Sequence, residues 1–248
     1  MTLLSGAVPT VYVDDDYTST ICGGHLCGYD AFTTLQEGIA GVDAGGTVNV
    51  AAGTYVEVGQ IAINKNVTIV GADKATTFIQ PAQDTGSSGD ARGWFLVRAG
   101  VTFNMSNVTL DGNGFKVHQG IRSFGAGTIN NVIFNDMISD KYTGLGIVAI
   151  NGANVNVTYS TFTNIGRIGA MFFGAGTTGT FDHNTYTGKG DGDWLDYGVE
   201  VGGGGVATIT NSTFTDCTGV ATSDGSTSAA VIVTTYYGAG STATLTGN

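Results

Sequence analysis

Charge is scarce in this 248-residue chain, and what there is leans to one sign. Only 12% of the residues are charged, about half the usual share for a soluble domain. Nine are basic and 20 acidic, a net charge of −11. A basic patch is therefore missing, which argues against nucleic acid as a partner. Long apolar runs are missing too, so no stretch reads as a transmembrane helix. No long stretch holds the 3.6-residue period, which excludes amphipathic helices over most of the chain. Proline occurs only twice. Since proline cannot donate to a β-ladder, its scarcity suits a chain built of strands. The opening segment, MTLLSGAVPT, has no basic region and too short an apolar core for a complete signal peptide. It reads as a chain whose signal has been removed, or whose native start lies elsewhere.

What the chain has instead is a returning phrase of ten residues. It reads GTINNVIFND at Gly127, VNVTYSTFTN at Val155, GTFDHNTYTG at Gly179 and ATITNSTFTD at Ala207, and begins again as ATLTGN at Ala243. A weaker copy, VTFNMSNVTL, starts at Val101. The spacers between copies are unequal, the signature of a solenoid whose turns carry loops of varying length. Ile129, Val157, Phe181, Ile209 and Leu245 hold one apolar position; Phe134, Phe162, Tyr186 and Phe214 hold another five residues later. The flanking residues are mostly Thr, Asn and Ser, so the period is two with one face buried. Five residues would flip the face in an ideal strand, so a bend lies between. Asn131, Tyr159, His183 and Asn211 share the column that marks it, and Asn tolerates left-handed backbone.

A second phrase precedes each first one: GIRSFGAG at Gly120, GIVAINGA at Gly146, GAMFFGAG at Gly169, YGVEVGGG at Tyr197 and AAVIVTTYYGAG at Ala229. Each turn thus gives two or three short strands, stacked in parallel about 4.8 Å apart and wound right-handed. The 41 glycines suit tight corners. Near the start, Asp30 is placed to cap a short helix over 30–40, with Phe32, Leu35 and Ile39 on one face. That helix reads as a lid on the apolar end of the stack. The expected architecture is one all-β domain: residues 1–29 as an N-terminal extension with a Cys loop, 30–40 as the cap, 47–248 as helical turns.

The run AFTTLQEGIAGVDAGGTVNVAAGTYVE, followed by NVTIVGAD, resembles the start of right-handed parallel β-helix proteins of the pectin-lyase-like superfamily. There a capping helix leads into a first turn ending in G-T-Y. The resemblance runs from about Val11 to the end and implies the fold. The superfamily spans polysaccharide lyases, glycoside hydrolases, epimerases, tailspikes, adhesins and surface-layer proteins, and no stretch here matches a catalytic motif. Fold alone does not give function.

The richest polar segment is GKGDGDWLDYGVE, Gly188 to Glu200. Eight residues after Phe134 comes Tyr142; eight after Tyr186 comes Trp194; between them Arg167 follows Phe162 by five. Equal offsets put Tyr142 and Trp194 over one corner two turns apart, about 9.6 Å, with Arg167 in the floor. Tyr142, Arg167, Lys189, Trp194 and Tyr197 are therefore candidates for holding a sugar. Asp193, Asp196 and Glu200 are candidate carboxylates if the chain is an enzyme, since glycosidases need two about 5–9.5 Å apart. Asp191 and Asp193 are oxygen donors that suit Ca²⁺, though DGD lacks the full calcium-loop spacing. A solvated acidic loop with Trp194 folded against the stack is the plain alternative. His118 and Asp111 form no recognisable dyad.

Cys22 and Cys27 enclose GGHL ahead of the cap. A disulfide suits an exported protein; a metal held by His25 and both thiols is the competing reading. Cys217 follows a strand phrase as a small apolar residue. The last copy stops before its core aromatic, which reads as a fragment, an end covered by a partner through end-to-end association, or a frayed turn. Thr161, Thr185 and Thr213, with Thr163, Thr187 and Thr215, form two columns like those of β-helical antifreeze proteins, which the β-propensity of Thr also explains. The expected function is contact with polysaccharide or a cell-surface glycan by an extracellular or surface-attached binding or adhesive module. A lyase or glycoside hydrolase, a filament or surface-layer subunit, and an ice-binding protein are the alternatives.

Overall fold

The computed structural model describes residues 8–248, so most of the opening segment read for a signal lies outside the described residues. Three parallel sheets of ten, seven and seven strands wrap one interior. Each full turn passes through all three. The ten-residue phrase is a strand of the first sheet, a two-residue bend and a strand of the second; the glycine-led phrase is the strand of the third. Register follows the repeat: Gly127 pairs with Val155, Val155 with Gly179, Gly179 with Ala207 and Ala207 with Ala243.

Two strand boundaries differ from the sequence reading. The weak copy starts at Phe103 and not at Val101, because Met105 pairs with Ile129. The first sheet also begins earlier than Thr47. Thr10–Val13 already pairs in parallel with Gly46–Val50.

Apolar side chains line up along the axis. Val48, Ile69, Met105, Ile129, Val157, Phe181 and Ile209 form one buried column. Tyr55, Ile79, Leu110, Phe134, Phe162 and Tyr186 form another, which Phe214 continues half-buried. The flip between them is made at the expected column, where φ is 55° at Asn131, 51° at Tyr159, 54° at His183 and 50° at Asn211. One left-handed residue turns the chain from the first sheet to the second and lets both apolar positions face inward. The side chains also stack: Asn131 donates to Asn107 at 2.8 Å, and the Tyr159 and His183 rings lie 4.9 Å apart. A second left-handed column, five residues on, was not singled out from the sequence. Asp136, Asn164 and Asp216, with φ of 57°, 51° and 57°, carry the chain from the second sheet toward the third.

The aligned glycines Gly146, Gly169 and Gly198 of the third sheet have a packing reason. A Cβ at Gly146 would sit 2.8 Å from the Phe162 ring, and one at Gly169 would sit 2.7 Å from the Tyr186 ring. The glycine column makes room for the aromatic column.

The lid is shorter than expected, Leu35–Gly41, and is capped by Thr34 in place of Asp30. Thr34 Oγ1 accepts from the Glu37 amide at 3.2 Å, while Asp30 accepts from the Leu26 amide and Phe32 lies in the short strand Ala31–Phe32. Buried Glu57, from the G-T-Y turn, accepts from the Leu35 amide at 2.6 Å and the Gln36 amide at 3.3 Å. A carboxylate there satisfies donors that a helix start leaves open and complements its dipole. At the other end, Leu245 is 51% exposed on the last strand of the first sheet.

Candidate functional site

Connections of unequal length gather at one corner, between the second and third sheets. They span 112–118, 138–144, 166–167, 188–196 and 216–228 along the stack. The turn at 166–167 is the shortest, and Arg167 sits on it. Tyr142 and Trp194 lie in the loops on either side, as their equal offsets require.

The two loops lean together instead of standing apart. Tyr142 Oη donates to Asp193 Oδ1 at 2.5 Å, and the Lys141 ammonium pairs with the same carboxylate. The Thr222 amide, from the third loop, donates to Asp193 Oδ1 at 2.8 Å. Lys141, the Thr222 amide and Tyr142 together hold the Asp193 carboxyl well below the usual carboxylate range. Asp193 is thus a tie between three loops. Neither Asp193 nor exposed Asp191 joins a cation cage: among the described residues no three His, Cys, Asp or Glu side chains converge.

Trp194 is packed into its own loop. Its Nε1 donates to the Gly190 carbonyl at 3.0 Å, and a Cβ at Gly192 or Gly219 would lie 2.3 Å or 2.5 Å from its ring. The ring is wedged between two glycines and does not stand as the wall of a groove. Lys189 lies 5.9 Å from the ring centroid.

Asp196 is fully buried. Lys189 Nζ donates to Asp196 Oδ1 at 2.5 Å and to the Ile165 and Gly166 carbonyls at 2.9 Å each. The Lys189 amide donates to Asp196 Oδ2 at 3.0 Å. This pair fastens loop 188–196 onto the short turn and keeps Asp196 from any substrate.

Glu200 differs from both. It stands on the outer side of the third sheet, between Met171 and Ile232 of the neighbouring strands, and is only 5% exposed. Burial pushes its pKa up, opposed by the charge of Arg167. The Arg167 guanidinium lies 5.5 Å from the Tyr197 ring, and its Nε is buried with no partner among the described residues. Burial raises the Tyr197 phenol as well, and Arg167 again opposes it. Arg167, Tyr197 and Glu200 therefore form one cluster beneath the tied loops. Asp224 acts on it through charge.

Lys141, Thr222 and Asp224 were missed in the sequence. Lys141 adjoins Tyr142, and the other two lie in the polar run TSDGSTS, which resembles any solvated loop. Elsewhere, Cys22 and Cys27 form a disulfide, which removes the thiols from the metal reading, and His25 stacks on Tyr12 at 3.8 Å. Burial raises the Cys217 thiol to about 11. His118 approaches Ser139 and not Asp111, which accepts from Gln80 and Asn135. The two Thr columns are in register, and Thr163 donates into the same ladder at Asn135.

Residues 145–241 match the family model described as "Right handed beta helix region". No curated protein matches the chain. Among solved structures it is similar to pectin methylesterase PemA from Erwinia chrysanthemi, at 13% identity and a TM-score of 0.47 over 84% of this chain and 67% of that one. It is also similar to a pectin methylesterase mutant in complex with a hexasaccharide, at 11% identity and a TM-score of 0.48 over 96% and 93%. Likeness at this level carries no activity across. The three parallel sheets, the lid and the matched segment make this chain a right-handed parallel β-helix.

Proposed function

We propose that the protein contacts polysaccharide as a binding or adhesive module, exported or held at the cell surface. The observation that carries this reading is the state of the three candidate carboxylates. Asp196 is buried against Lys189, Asp193 is consumed in tying loops, and Glu200 stands in an apolar wall where burial pushes its pKa up. An acid–base pair as a glycosidase needs it is not supported by that arrangement. A guanidinium with an unsatisfied nitrogen, beside the Tyr197 phenol, supports recognition of sugar hydroxyls or acids. The Cys22–Cys27 disulfide supports an oxidising compartment.

A glycan array run beside an activity screen on neutral and acidic polysaccharides tests the proposal. Binding without product is the expected result, and Arg167→Ala should weaken it about ten-fold or more, the scale of a charged hydrogen bond. Unsaturated or shortened product would establish a lyase or hydrolase instead. Unchanged binding by Arg167→Ala and Tyr142→Ala would move the surface elsewhere.

A further inference from the structure

We propose a second site, at the other end of the third sheet, that takes one neutral hydroxylated molecule the size of a single sugar ring. It does not rest on the reading above, because it shares no residue or loop with it.

The argument begins with Trp94. Gly93 pairs with Gln119 and Phe95 with Ile121, so Trp94 occupies the position that is Gly120, Gly146, Gly169 and Gly198 in the following turns. From Gly146 onward glycine makes room for an aromatic of the second sheet. Here the second sheet carries Ile79 and Leu110, which are smaller, and an indole fills the space. Trp94 is 1% exposed, and its Nε1 is buried with no partner among the described residues. A buried N–H without an acceptor costs about 1–3 kcal/mol, so one is retained where something else supplies the acceptor.

Trp94 also lines a cavity of about 200 Å³, walled by Gly59, Gln60, Gly93 and the loop carrying Asp84 and Thr85. That is below the roughly 300 Å³ at which pockets for drug-sized ligands begin, so it suits one small ring and not a chain. Its polar groups define the chemistry. Gln60 Nε2 already donates to the Asp90 and Gly93 carbonyls, both at 2.7 Å, which leaves its amide oxygen to accept. Asp84 Oδ1 accepts from the Lys116 amide at 2.9 Å, which leaves Oδ2. Thr85 is spent on Lys116 and His118. The lining thus offers acceptors at Gln60 and Asp84 and the side-chain amide of Gln83, with the unpartnered indole N–H belonging to Trp94 in its wall. A hydroxyl both gives and takes a hydrogen bond and matches this set. An anion would face Asp84 in a chain of net charge −11, and a cation could not accept from the indole.

The chain has two tryptophans, so Trp194→Phe leaves Trp94 as the only indole reporter. That variant is titrated with glucose, galactose, mannose, xylose and inositol to about 10 mM, and with galacturonate as the charged control. At least one neutral compound should shift Trp94 emission saturably, and galacturonate should bind more weakly. Calorimetry on otherwise wild-type protein then compares Trp94→Phe, which keeps the ring and loses the donor, and Ala91→Leu, which fills the cavity from an exposed loop residue. Each should weaken binding about ten-fold. Should Trp94→Phe fail to fold, Ala91→Leu decides. No saturable response to any neutral compound, equal or tighter binding of galacturonate, or wild-type affinity in Ala91→Leu would overturn the proposal.

Discussion

Removing Phe162 tests whether the aromatic column holds the stack together. The side chain is fully buried, its ring 4.7 Å from Phe134 with planes 2° apart and 5.5 Å from Phe181. Phe→Ala at a core site costs about 3–5 kcal/mol, and the cost rises with the cavity that cannot close. Here closure is opposed by geometry. The strands Ile133–Met137 and Thr185–Thr187 above and below are fixed by the ladders they make with Thr161–Ile165. We therefore expect about 4 kcal/mol for Phe162→Ala, read from urea melts followed by circular dichroism with an unchanged slope. A loss below about 1 kcal/mol would refute the reasoning. The partner mutation sharpens it. Gly146→Ala drives a Cβ to within 2.8 Å of the Phe162 ring and 2.6 Å of the Gly169 carbonyl, so it should cost about 1–3 kcal/mol by overpacking. In the Phe162→Ala background the first of those clashes disappears. The double-mutant cycle should show coupling of at least about 0.5 kcal/mol, and strict additivity would mean that the glycine does not make room for the ring.

Three further outcomes are expected. Glu57→Ala should cost about 1.5–3 kcal/mol in thermal melts and speed amide exchange at Leu35, because it removes both acceptors at the start of the lid. Asn131→Ala should cost about 1–2 kcal/mol and Asn131→Gly less in the same melts, since φ is 55° there and only the alanine is strained. Glu200 has a raised folded pKa, so between its ordinary value and that raised value the folded state binds more protons than the unfolded one, and stability falls as pH rises through the window. Glu200→Gln should flatten that fall in denaturation midpoints measured from pH 4 upward; an identical pH profile would show that Glu200 does not titrate there.

The repeat was legible because a solenoid uses the same positions in every turn. Ile129, Val157, Phe181 and Ile209 face one interior and must all be apolar, and Asn131 and Asn211 must tolerate one backbone conformation. Local physics repeated along the chain leaves a pattern a reader can count. Even the offsets that set Tyr142, Arg167 and Trp194 at one corner follow from it. The weak copy was misplaced by two residues because Val101 and Phe103 both fit an alternating pattern, and only pairing with Ile129 separates them. The cap was placed at Asp30 because Asp and Thr are both good caps; the pairing of Ala31–Phe32 with Thr10–Val13 excluded Asp30, and Glu57, 22 residues away in sequence, completed the helix start.

The site is where sequence periodicity stops helping. Loops 138–144, 188–196 and 216–228 follow no repeat, so how they lean depends on contacts between residues far apart in the chain. Asp193 lies 52 residues from Lys141 and 29 from Thr222, and only the folded chain brings them together. Asp193, Asp196 and Glu200 are three similar carboxyls within eight residues, and the sequence cannot separate them. Tertiary structure assigns one to tie loops, one to neutralise Lys189 and one to an apolar wall, because a carboxyl's behaviour is set by the charges and water around it and not by its neighbours in the chain.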